Sequence, residues 1–209
     1  MKRDFIIDFE TLGKRNRTLV AVDCAYTIFD RARFTTRPYT FEELVDTVQK
    51  SKFDVQKQTA LGFKFSKEDL AWWDSQPEEV KKNLRPTEND LTYQEFSATL
   101  KEYLNGVRVQ KWWTRGNNFD PPVLERIMDL SGELDWFDET LKFWNVRDVR
   151  TFINGVLGFE VTSGFTPVSD EAYWKETFIA HDSRHDVAAD VMRLQALLRL
   201  AEDLELTER

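Results

Sequence analysis

The chain has little with which to staple itself together. It carries one cysteine, Cys24, so no intrachain disulfide can form and no cysteine cluster can hold zinc. A reducing interior fits that usage. Long apolar runs are also missing. No stretch approaches the roughly 20 residues that a membrane-spanning helix needs. The N-terminus, MKRDFIIDFETLG, has two basic residues but too short an apolar run for a signal peptide. No internal repeat, low-complexity tract or long Gly/Ser linker interrupts the chain. Positive charge is in deficit. Lys and Arg number 29 against 37 Asp and Glu, a net charge of −8. That excludes a protein that coats nucleic acid by charge alone.

What is present argues for a packed core. Hydrophobic residues make up 41% of the 209 positions and aromatics 13%, with 16 Phe and 7 Trp, which is globular rather than disordered composition. The length suits one domain, residues 1–209.

The pattern predicts a strand over 4–9 and a second over 19–29, with 32–37 pairing as a third. Thr40 is placed to cap a short helix in FEELVDTVQK. Residues 67–84 read as helix, broken in two by Pro77. LTYQEFSATLKEYL, 91–104, is an amphipathic helix ended by Asn105-Gly106. VRVQKWWT alternates as a strand does, and Asp120-Pro-Pro opens a helix running to about Leu130. Residues 147–156 form a short helix. From Ser183 to Leu204, Val187, Val191, Leu194, Leu198 and Ala201 fall on one helical stripe. Strands first, then helix, strand, helix and a closing helix, predict an α/β fold with a mixed sheet and helices on its faces.

Three clusters carry chemistry. In DFIIDFETLG, Asp8 and Glu10 follow the apolar Phe5-Ile6-Ile7 and point to one face of the strand, with Phe9 on the other. Two carboxylates there repel unless water or a cation separates them; a solvated strand end is one reading, and a magnesium or manganese site the other. In TRGNNFDPPVLERI, Asp120 stands where a Gly-Asn-Asn loop becomes a helix, as an N-cap or as a metal ligand. In FIAHDSRHDVAADVMRLQ lie the chain's only histidines, His181 and His185, each followed at plus five by an aspartate, Asp186 and Asp190. Imidazole can take a proton from water near neutral pH. Negative net charge is no obstacle to an enzyme that grips nucleic acid through bound cations, because carboxylates that hold cations make part of that charge functional.

Asp8-x-Glu10, then Asp120 at a loop-to-helix turn, then His-x-x-x-x-Asp on a C-terminal helix, resemble the DEDDh group of the DnaQ-like 3′→5′ exonuclease superfamily. The stretches FIIDFETLG, DLAWWDSQPEE, TRGNNFDPPVLE, WNVRDVRTF and AHDSRHDVAADVMRLQ resemble in particular the phage exonuclease A (DexA) type and its exoribonuclease relatives, over about residues 4–197. The resemblance implies an RNase H-like fold. It implies that Asp8, Glu10, Asp120 and the helix aspartate hold two divalent cations, Mg2+ or Mn2+, while a histidine takes the proton of the attacking water. The product would be a nucleoside 5′-monophosphate.

Two registers compete for the last motif. In the family pattern the residue two after the histidine is small. The His181 register puts Ser183 there, and the His185 register puts Val187. His181 with Asp186 is therefore the expectation, and His185 with Asp190 the alternative. The resemblance also implies that Thr11 and Leu12 hold the terminal nucleotide. Lys14, Arg15 and Arg17 form a basic run at the same end, and Arg147 and Arg150 lie in a family-like stretch. The pairs Trp72-Trp73 and Trp112-Trp113 could stack bases or fill the core. Resemblance to the phage type favours single-stranded DNA 3′ ends, with RNA as the alternative, and a cytoplasmic setting, that of the host if phage-encoded. No ligand is missing, which argues against a binder that does not cut.

Overall fold

The computed structural model describes residues 2–13, 19–82, 85–158, 160 and 176–207. Five strands form one sheet in the order β3-β2-β1-β4-β5. They are β1 (Lys2–Leu12), β2 (Val20–Phe29), β3 (Gln49–Lys52), β4 (Arg108–Thr114) and β5 (Val146–Asp148). β1 runs antiparallel to β2 and parallel to β4; β2–β3 is antiparallel and β4–β5 parallel. This mixed sheet with helices around it is an α/β fold of the RNase H-like kind.

Alternation along β1 sorts its side chains into two cores. Phe5, Ile7 and Phe9 pack on one face with α6 (Tyr93–Tyr103), α7 (Asp120–Leu130) and α8 (Leu134–Thr140), through Phe96, Leu124 and Phe137. Ile6 packs on the other with α2 (Phe41–Thr47), α9 (Val149–Leu157) and α10 (Ser183–Thr207), through Leu44, Ile153 and Val191. Along α10 the stripe of Val187, Val191 and Leu194 is fully buried, as its spacing predicts. Asp8 and Glu10 leave β1 on the α10 side.

Local chemistry sets the helix starts. Thr40 accepts a hydrogen bond from the Glu43 N–H and caps α2. Thr92 and Glu95 form a capping box on α6. Ser66 and Asp69 form another on α4 (Lys67–Asp74), and Pro77 separates it from α5 (Glu78–Lys81). Gly13 takes φ +126, a turn conformation closed to other residues, as β1 leaves the sheet.

The structure differs from the predicted pattern in several places. Residues 32–37 are not a third strand. They contain a single helical turn, α1 (Arg33–Thr36), which stacks Phe34 on Phe29 at 5.6 Å and pairs Arg33 with Glu43. The edge of β2 is taken instead by β3, whose first residues were expected to end α2. The sequence QKSK carries no apolar signal. Residues 147–156 begin as β5, and Asp148 then caps α9 by accepting from the Thr151 N–H. A short helix, α3 (Val55–Ala60), was not expected at all. The basic run Lys14, Arg15 and Arg17, and the end of the stretch 67–84, lie outside the described residues.

Candidate active site

β1 continues past its last pair with β4, Ile6 with Trp113. That leaves the Phe9 N–H facing space where β4 has diverged. Asp120 fills it. Its Oδ1 accepts from the Phe9 N–H at 3.1 Å. Asp120 is the first residue of α7, after the N-cap Phe119, and its carboxylate is turned inward, 3% exposed, rather than capping the helix. Pro121 and Pro122, in the first turn, have no N–H to leave unpaired. The sequence thus brings Asp120 to the strand that carries Asp8 and Glu10.

The last motif arrives from α10. His181 precedes the helix with φ +65, the left-handed region, alone among described non-glycine residues. Its N–H donates to Asp186 Oδ2 at 3.0 Å, which closes the turn. Its Nδ1 lies 3.8 Å from Glu10 Oε1, an ion-pair separation rather than a hydrogen bond. Among the described residues, Glu10, His181 and Asp186 can offer ligand atoms that all lie within 4.8 Å of one another. Asp8 and Asp120 border that group.

Electrostatics records the crowding. Burial, with the charges of Asp120, Glu10 and Asp186, raises Asp8 well above the usual carboxylate range. Burial, with Glu10 and Asp190 nearby, pushes Asp120 up to about 8. Asp186 rises to about 7 from burial and the Glu10 charge. Glu10 is raised by burial and eased by His181. The facing Glu10 carboxylate in turn raises His181. A cluster of carboxylates that resist ionisation together is suited to a multivalent cation.

His185 lies apart from this cluster, whereas Asp190 borders it and is neutralised by arginines. The His185 ring is edge-on to Phe41 at 5.5 Å, and its Nδ1 accepts from the Ile179 N–H at 3.1 Å. Burial lowers its pKa. Asp190, 3% exposed, pairs with Arg115 and Arg193.

The residues after Glu10 have structural partners. The Thr11 hydroxyl donates to Gly13 O at 2.9 Å, and Leu12 is buried in the core. Trp73 is buried, with its Nε1–H donating to Thr11 O at 3.1 Å. Trp72, beside it, is 36% exposed, with its ring 4.9 Å from that of His181 and nearly perpendicular to it. Trp112 and Trp113 point to opposite faces of β4 and fill the two cores. Arg147 hydrogen-bonds Trp144 O and Val146 O, and Arg150 is exposed on α9.

Sequence reasoning missed Asp23 and Lys50. Asp23, 1% exposed on β2, pairs in register with Glu10 and accepts from Ser183 Oγ at 2.6 Å. Lys50 bridges Asp23 and Asp182. A single carboxylate inside the apolar run LVAVDCAYTIF was the signal for Asp23. Lys50, in a polar tetrapeptide, carried none.

Comparison with known proteins places this geometry in a family. Residues 3–189 match the model of the 3′-5′ exoribonuclease Rv2179c-like domain. The chain is also 36% identical over 215 residues to a protein of Enterobacteria phage T4 named exodeoxyribonuclease, an overlap of 97% of this chain and 92% of the relative. Among the described residues, no helix is long and apolar enough to cross a membrane. The match over nearly the whole chain and the carboxylate-histidine cluster at the end of β1 agree: the chain belongs to the Rv2179c-like domain family of DEDDh-type, DnaQ-like 3′-5′ exonucleases.

Proposed function

We propose that the protein is a single exonuclease domain that hydrolyses single-stranded DNA from the 3′ end to nucleoside 5′-monophosphates, with two divalent cations and His181 as general base. The observation that carries the reading is the approach of His181 to Glu10 and Asp186 at the end of β1.

The residues fit such cations. Asp8, Glu10, Asp120 and Asp186 supply hard oxygen donors, and their buried negative charges need compensation. Mg2+ or Mn2+ held there would activate water and stabilise charge on the scissile phosphate and the leaving 3′ oxygen. Asp120 is held by the Phe9 N–H, so it presents its second oxygen from a fixed place. His181 takes the proton of the attacking water. Its raised pKa makes it a stronger base, and cations beside Glu10 would return it toward neutrality, where a base works best. Thr11 and Leu12 border the terminal nucleotide with their main chain, since the Thr11 hydroxyl holds a turn and Leu12 lies in the core. Trp72 offers the exposed aromatic face for its base.

DNA is favoured because the phage T4 relative, named exodeoxyribonuclease, aligns over nearly the whole chain. The family description names an exoribonuclease, which keeps RNA as the second reading. The test uses 3′- and 5′-labelled single-stranded DNA and RNA of one sequence, with magnesium, manganese or EDTA. Mononucleotides should leave the 3′ end only with metal, faster from DNA. Asp8→Ala and His181→Ala should abolish or cripple release, and His185→Ala should not. Activity lost in His185→Ala and kept in His181→Ala would reverse the assignment of the base. Faster release from RNA would reverse the assignment of substrate.

A further inference from the structure

His181 is fastened from both sides, and the fastening runs back to the strand next to its target. Ahead of it, its own N–H is held by Asp186. Behind it, both following residues reach the same anchor. Ser183 Oγ donates to Asp23 Oδ1 at 2.6 Å. Lys50 Nζ lies 3.3 Å from Asp23 Oδ2 and 3.3 Å from Asp182 Oδ1. Asp182 Oδ1 also accepts from the Arg184 N–H at 3.1 Å, in the first turn of α10.

The placement of the anchor matters. Asp23 stands directly opposite Glu10 in the β1–β2 ladder, and Lys50 opposite Ala25 in the β2–β3 ladder. The separation of His181 from Glu10 is therefore set by paired strands rather than by the loop that carries the histidine. A left-handed conformation at a non-glycine residue persists only where its surroundings over-determine it. Here those surroundings are ionic and buried. Asp23 is 1% exposed and Asp182 5%. Apolar residues of similar size would hold helix to sheet at least as stably, so a buried charge network is better explained by a requirement for geometry.

We propose that Lys50 and Asp23 are positioning residues for the reaction: together they hold Asp182 and Ser183 so that His181 keeps its ring aimed at Glu10. The proposal rests on the reading of His181 as general base.

The test is a double-mutant cycle read by release of mononucleotides from a 3′-labelled single strand in magnesium. Lys50→Met should lower kcat by about 10- to 100-fold, the scale of an ångström-sized misplacement. KM should stay within about threefold, because substrate binding is not what the network serves. Lys50→Arg, which restores a cation between the two carboxylates, should recover most of kcat. In a His181→Ala background, Lys50→Met should change the residual rate by less than about twofold, since nothing is left to position. An equal loss in both backgrounds, or a loss carried by KM, would overturn the proposal. Lys50→Met leaves the buried Asp23 without its cation and Asp182 with Arg184 alone, so the near-isosteric Asp23→Asn is run through the same cycle, and equal losses there overturn it too. Failure of the base assignment looks different: His181→Ala would then retain full activity.

Discussion

Asp190 lies one helical turn beyond Asp186 on α10, yet the two carboxylates serve different partners. Asp186 accepts from the His181 N–H and joins the site, whereas Asp190 pairs with Arg115 and Arg193 in the interior. Asp190→Ala removes the carboxylate shared by the buried Arg193 and the partly buried Arg115. The expected loss is about 3–5 kcal/mol, read by urea unfolding. Asp186→Ala should cost far less in EDTA, because it removes a carboxylate that its neighbours repel, but it should abolish metal-dependent cleavage. Equal stabilities for the two variants would show that they share one role.

The two histidines separate in the opposite sense. His181→Asn keeps the N–H that Asp186 accepts and suits φ +65, because asparagine tolerates the left-handed region better than histidine. It should match or exceed the wild type in thermal stability, while kcat falls by about 10²–10⁴-fold through loss of the base. His185→Ala removes the ring packed on Phe41 and the acceptor for the Ile179 N–H. It should lower stability by about 1–2 kcal/mol and leave kcat near that of the wild type. Paired melting curves and rates for both variants check this. A fall in kcat for His185→Ala with the fold intact would contradict it.

Protonation of the carboxylates links stability to pH. Without metal, Asp186 titrates near 7 and Asp120 near 8 in the folded protein, against 3.8 for an ordinary aspartate. Their folded values are raised, so between about pH 4 and 8 the folded state holds protons that the unfolded state has lost. Their stabilising contribution is complete below about pH 4 and lost as pH rises through 7 to 8. In EDTA the melting temperature should fall between about pH 6 and pH 8.5. Asp120→Asn, whose amide oxygen can still accept from the Phe9 N–H, should flatten that fall. Magnesium should raise the melting temperature more at the higher pH, because it replaces the missing protons. A metal-free melting temperature that climbs over this range would exclude the clustered carboxylates as its cause.

Much of the candidate site is legible in the sequence because its residues sit where local rules are strong. Asp8 and Glu10 end an apolar strand, Asp120 follows a loop and precedes two prolines, and α10 shows its buried stripe plainly. These are short-range signals, and the elements they predict are present. What could not be read depends on pairing at a distance. β3 has the sequence QKSK and becomes a strand only because the edge of β2 accepts it. β5 has three residues, too few to show alternation, and exists because β4 lies beside it. Lys50 matters through Asp23 and Asp182, the latter 132 positions away. The preference for His181 came from the small residue at 183, which fits a buried position. Serine at 183 serves Asp23, to which its hydroxyl donates, a partner 160 positions away that no local pattern reveals.

Trp72 provides the last test, because its position separates substrate grip from core packing. Trp73 is buried and donates to Thr11 O, so it holds α4 to the end of β1. That anchor turns Trp72, 36% exposed, edge-to-face against His181 at 4.9 Å. Stacking of a base on an aromatic side chain is worth about 1–3 kcal/mol. Trp72→Ala should therefore raise KM for a single-stranded oligonucleotide by about 5- to 150-fold, with a smaller change in kcat. Trp72→Phe keeps an aromatic face and should recover most of the loss. Trp73→Ala, in contrast, should lower the melting temperature before it alters KM. If Trp72→Ala left KM unchanged and reduced kcat alone, the ring would be acting on His181 rather than on the nucleotide.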